Sequence, residues 1–143
     1  MPFSNLFTAQ AISGSGLSAE RFRMEVIANN IANANSTKSA NGGPFRRQEV
    51  VFAEVLGRAG DGGMPALGGV QAVDVVEDPT ELPKVYMPGH PEADPDGMVT
   101  MPNVNLPMEM VNLLTASRAY EANLRAAQSF RTMNEQALTI LRS

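Results

Sequence analysis

From Pro107 to Ser143 the chain runs without a glycine, and its single proline stands at the first position. Leu, Met, Ala, Arg, Glu and Gln dominate the stretch, so no local preference interrupts a long helix. At ~1.5 Å per residue such a helix is about 50 Å long. Its start is marked too: Asn105 is a suitable N-cap, Pro107 sits where a missing N–H costs least, and Glu109 places a negative charge in the first turn. Glu121 and Arg125 add a supporting pair at i,i+4 spacing.

The apolar pattern of this helix occupies two faces. One seam, with the three and four spacing of a coiled coil, runs through Met110, Leu113, Ser117, Tyr120, Leu124, Ala127, Arg131, Asn134, Leu138 and Leu141. A second runs through Ala116, Ala119, Asn123, Ala126, Phe130, Met133, Ala137 and Ile140. One partner helix is expected to cover only one seam, so the other needs a further partner. Small residues on the second seam permit close approach.

A helical pattern returns from about Thr8 to Asn35. Leu17, Met24, Ile27, Ile31 and Ala34 share one stripe, which Gly14 and Gly16 weaken at its start. The run Asn29-Asn30-Ile31-Ala32-Asn33 sits where asparagine is a poor helix former. Either the helix frays there towards an Asn35 cap, or the amides at 29, 30 and 33 bond to a neighbouring element while Ile27 and Ile31 keep the stripe apolar. Ahead of the helix, Phe3 and Phe7 read as a local staple or as a recognition element.

Between the helices the chain changes in kind, for residues 42 to 107 hold ten of the twelve glycines and nine of the ten prolines. Ser36 to Pro44 reads as a flexible joint, and Gly57 to Gly69 as a mobile loop. Phe45–Leu56, Val70–Val76, Lys84–Met87 and Met98–Met101 are short β-prone runs, enough for two or three hairpins. The expected fold is therefore α+β. Long N- and C-terminal helices form an α-helical coiled-coil core from residues 1–41 and 105–143, with a small β-rich insert at 42–104.

Net charge is −4, yet each helical end carries +1 and the insert carries the acid. No basic stripe suggests nucleic acid, and no apolar run is long enough to span a bilayer. The N-terminus lacks the basic and apolar regions of a Sec leader. There is no cysteine, so disulfides and thiolate ligands are excluded. The lone His90 sits in a proline-rich turn and cannot form a two-imidazole metal site within one chain. Glu92, Asp94 and Asp96 alternate before Gly97 like the start of a calcium loop. Asn103 stands where the closing Glu is required, and nearby prolines forbid the flanking helices, so an acidic turn is expected. No nucleophile elbow, P-loop or dinucleotide fingerprint is present. No catalytic residue, cofactor, metal or small-molecule substrate is expected.

Three groups of residues resemble the bacterial flagellar rod and hook family. Ser15-Gly16-Leu17 with Met24 through Thr37 is similar to its N-terminal signature. Asn103-Val104-Asn105-Leu106, Glu109-Met110-Val111 and Ser117 through Asn123 are similar to its C-terminal one. Val76-Glu77-Asp78-Pro79, Val85 through Pro91 and Ala93 through Val99 resemble its proximal-rod members. The family's Gly-Phe-Lys appears displaced as Pro44-Phe45-Arg46, with extra residues from Lys38 to Gly43.

The resemblance implies a structural subunit of the basal-body rod, exported through the flagellar type III apparatus without leader cleavage and polymerising axially in the periplasm. Implied partners are other rod proteins, copies of itself and the adaptor joining the rod to the membrane ring. Another rod subunit of the family, or a cytoplasmic helical binding protein or chaperone, is the alternative. Phe3 and Phe7 resemble the family's short hydrophobic export signal. Subunit contacts are expected at Leu17, Met24, Ile27, Asn29, Asn30, Ile31 and Asn33 in the first helix. In the last helix they are expected at Met110, Leu113, Leu114, Tyr120, Asn123, Leu124, Phe130, Met133 and Leu138.

Overall fold

The computed structural model describes residues 2–40, 42–56 and 67–142. Helix α1 (Pro2–Ala32) is followed by strands β1 (Gln48–Leu56), β2 (Leu67–Glu77), β3 (Lys84–Tyr86) and β4 (Met98–Thr100), and helix α2 (Leu106–Arg142) closes the chain. The class is α+β, with two long terminal helices around a small antiparallel insert.

Helix α1 begins at Pro2, earlier than the expected Thr8. Two glycines weaken a helix by about 1 kcal/mol each; Gly16 lies against α2, which supplies packing that propensity lacks, while the space beside Gly14 is open. A Cβ on Gly16 would stand 2.9 Å from Asn123 Nδ2, so the helices approach closely at that level. At the other end the helix stops at Ala32, and turn bonds from Ala34 N to Ile31 O and from Ser36 N to Asn33 O close it. Helix α2 is capped as its sequence suggests: Asn105 Oδ1 accepts from Met108 N at 3.1 Å, and the Asn105 carbonyl accepts from Glu109 N at 2.9 Å.

The helices run antiparallel, with Gly16 beside Asn123 and Asn30 bonded to Glu109. Contrary to expectation, α1 does not choose between the two seams of α2. It lies over the valley between them, half-burying Leu113 and Tyr120 of the first and Ala119, Asn123 and Phe130 of the second, with Ala116 fully enclosed. Small side chains at the contact allow this central placement, and each seam keeps an uncovered outer edge.

Strands β1 and β2 pair from Gln48 opposite Glu77 to Leu56 opposite Leu67, with register shifts at Val51/Phe52 and Glu54/Leu56. This long hairpin lies along α1. Asn30 bonds to Gln48 at one end, and Ser15 Oγ accepts from Val70 N at 3.1 Å towards the other. Gly69 makes that approach possible, since its φ is +109° and a Cβ would overlap Ser15 Oγ. Strands β3 and β4 form a second, short hairpin around the buried Val99.

Among the described residues of the joint at 36–44, turn bonds replace the expected loose link: Phe45 N donates to Ser36 O, and Gly42 N to Ser39 O. Of the expected loop at 57–69, residues 57–66 lie outside the described residues, and Leu67–Gly69 belong to β2. Among the described residues the buried apolar side chains are only Ala19, Val26, Ile27, Val99, Pro102 and Ala116. That is a thin core for a chain of this size.

Candidate assembly face and the polar junction behind it

Over its first three turns α2 buries polar side chains beside Leu113 and Ala116 while leaving larger apolar ones exposed. The side chains turned towards α1 and the insert include the polar Glu109 and Asn112, while Leu106, Met108, Met110, Val111 and Leu114 expose between 39% and 61% of their surface. Monomeric surfaces seldom gather so many large apolar groups in one place. The exposed edge continues at Leu124 and reappears at Met133 and Leu138 near the end of the helix.

Behind this face lies a polar junction of three chain segments. Glu109 is 1% exposed, and its Oε1 accepts from Arg47 Nε at 2.8 Å and from Asn112 Nδ2 at 3.3 Å. Its Oε2 accepts from Asn30 Nδ2 at 3.0 Å. Asn30 is 0% exposed and pairs with the backbone of Gln48 as a strand residue would: Nδ2 donates to Gln48 O at 2.8 Å, and Oδ1 accepts from Gln48 N at 2.9 Å. One amide thus ties the end of α1 to the start of β1 and the first turn of α2.

Arg47 is held from the insert side. Its backbone N–H donates to Asn103 Oδ1 and its carbonyl accepts from Asp78 N, both at 2.8 Å, and its guanidinium also reaches Glu49 and Asp78. Burial works against its charge. The bonds and charges of Glu109 and Glu49 outweigh that, and hold the guanidinium protonated more firmly than usual. Asp78 in turn accepts from the hydroxyl and the amide of Thr80, which, with Arg47 and against some burial, draw its carboxyl below the usual range.

The expected contact residues divide. Ile27 and Asn30 are buried within the chain; Leu17, Met24, Ile31, Asn33, Leu113, Tyr120, Asn123 and Phe130 are half-buried; Asn29, Met110, Leu114, Leu124, Met133 and Leu138 face solvent. The asparagine run does both things the sequence left open. The helix ends there, and the amides bond: Asn29 to the Gln48 side chain, Asn33 to the Asn29 carbonyl and side chain, and Asn30 into the junction. Phe3 and Phe7 fall in α1, but their side chains lie outside the described residues. Arg47, Asp78, Asn103 and the interior role of Glu109 were not anticipated. The one local signal was that Glu109 lies three and seven residues before Asn112 and Ala116, on the small-residue side of α2.

The acidic turn is internally bonded: Asp94 Oδ1 accepts from the amides of Asp96 and Met98, and His90 Nδ1 accepts from Glu92 N. Among the described residues no group of three or more His, Asp or Glu could hold a metal ion, and no helix is long and apolar enough to cross a membrane.

Two family models match the ends of the chain: "Flagella basal body rod protein" over residues 11–38 and "Flagellar basal body rod FlgEFG protein C-terminal" over residues 96–140. Whole-length relatives agree. The flagellar basal-body rod protein FlgC of Escherichia coli O6:H1 is 41% identical, with 98% of each chain covered. That of Borreliella burgdorferi is 38% identical, covering 95% of this chain and 97% of its own. That of Bacillus subtilis is 36% identical, covering 94% and 97%. With both helical ends and the insert between them matched at this level, the chain belongs to the FlgC family of flagellar basal-body rod proteins.

Proposed function

We propose that this structural rod subunit builds the proximal part of the rod by polymerising axially through the outward edges of its terminal helices, contributing to the drive shaft and the export channel. The observation that carries this is the uncovered apolar face of α2, centred on Met110 and Leu114 in a chain whose own core is thin. Such a face is stabilised by neighbouring subunits, and heterologous contacts of this kind propagate along a filament. The helix pair acts as a coiled-coil core covered by other copies and other rod proteins. The insert lies towards the outside, and the rod-to-membrane-ring adaptor is a further partner. Delivery runs through the flagellar type III apparatus into the periplasm, with Phe3 and Phe7 as the export signal. The role is mechanical rather than catalytic, a reading supported by the kinship with structural rod proteins.

Leu114→Asp tests the proposal. It alters a side chain 61% exposed, so the monomer should fold with unchanged helix content. Secretion of the variant should persist while rods and swimming are lost. Normal motility with Leu114→Asp as the sole copy would refute the assembly face.

A further inference from the structure

The outward setting of the larger apolar side chains in the first turns of α2 needs a cause, because the helix has apolar side chains enough on its outer side to be packed the other way round. Glu109 and Asn112 point inward while Met110, Val111 and Leu114 point outward. Burial of apolar surface alone favours the reverse. What opposes it is the junction. If α2 turned about its axis to cover Met110 and Leu114, Glu109 would swing away from Arg47 and Asn30. The guanidinium, with 17% of its side chain exposed, and the wholly buried amide would then lose their shared acceptor.

We propose that Glu109 is a positioning residue that fixes the rotational setting of α2, holding the larger apolar face outward so that the chain cannot cover it with its own α1. The insert sets the lock, since Asp78 and Asn103 fix the backbone of Arg47 that Glu109 engages. A buried polar contact that selects one packing among several apolar ones is a known use of such groups. What the outward face is for rests on the assembly proposed above; the setting itself does not.

Because the chain lacks cysteine, single thiols report the setting directly. Leu114→Cys marks the outer face and Ala116→Cys the inner, each made in the full-length chain and labelled with a maleimide at a concentration where it is monomeric. With the junction intact, the outer thiol should react at least about tenfold faster, the ratio that a ~1.4 kcal/mol penalty for exposing the inner side produces. Replacing the pair by apolar residues, Glu109→Leu with Arg47→Leu, should keep helix content by circular dichroism while the ratio collapses towards one. Glu109→Gln keeps the shape and removes the charge, and should lower the ratio severalfold if the double variant does not fold. An unchanged ratio in either folded variant overturns the inference. Loss of assembly with an unchanged ratio would instead leave the assembly face standing without this lock.

Discussion

Two neighbouring residues of the same type show how much position decides. Asn30 is fully buried and bonds to the Gln48 backbone and to Glu109; Asn29, one residue earlier, is exposed, donates to the Gln48 side chain at 3.3 Å and accepts from the neighbouring Asn33 amide. Asn30→Ala leaves a strand amide, a carbonyl and part of a carboxylate without partners, and should cost about 1–3 kcal/mol. Asn29→Ala should stay within about 0.5 kcal/mol. Urea midpoints of the two variants check this, and equal losses would contradict the junction. Asp78 gives the residue scale its pH dependence. Its folded carboxyl titrates below the ~3.9 of an unfolded aspartate. Its contribution is therefore fully present above that unfolded value and is lost as pH falls through the folded one. Asp78→Asn should shrink the drop in urea midpoint between about pH 5 and pH 2.5 relative to the unmodified chain.

At the scale of elements, the type of each segment was legible and the boundaries were set by contacts that sequence does not display. The run expected from Phe45 begins as a strand only at Gln48, because Phe45 N closes the Ser36 turn and Arg47 is engaged by Asn103 and Asp78. Helix α1 runs on through Gly14 and Gly16, and at Gly16 α2 lies against it. The distant partners of Glu109 were not legible. They lie 62 and 79 positions away, and no period in the sequence links a residue of α2 to one in α1 or just ahead of β1. The short hairpin shows the opposite case, where local chemistry suffices. Gly97 has φ +75°, and a Cβ there would come 2.9 Å from Tyr86 Cε2, whereas one on Gly89 meets nothing within 4 Å. Gly97→Ala should therefore cost on the order of 1–2 kcal/mol from the left-handed backbone alone and loosen the pairing of Tyr86 with Met98, while Gly89→Ala should be nearly silent. Amide shifts across β3 and β4 would register the difference.

For the whole molecule, stability should be graded along the helix pair. At one end the junction ties α1, β1 and α2 together through buried bonds. Away from it the helices meet through Gly16, Asn123, Ala126 and Phe130, with no ion pair between α1 and α2 there among the described residues. The exposed pairs Arg21 with Glu25 and Arg131 with Glu135 lie within single helices, where each adds a few tenths of a kcal/mol to the helix and nothing to the contact. Local opening follows local packing, so backbone amides near Ile27 and Leu113 should exchange only with global unfolding, and those near Ala11 and Met133 through frequent partial openings. In the assembled rod, neighbours covering Leu124, Met133 and Leu138 should remove that gradient. Hydrogen exchange on the monomer and on isolated rods compares the two directly. Uniform protection along both helices of the solitary chain would mean that the uncovered edges need no neighbours, and would count against polymerisation through them.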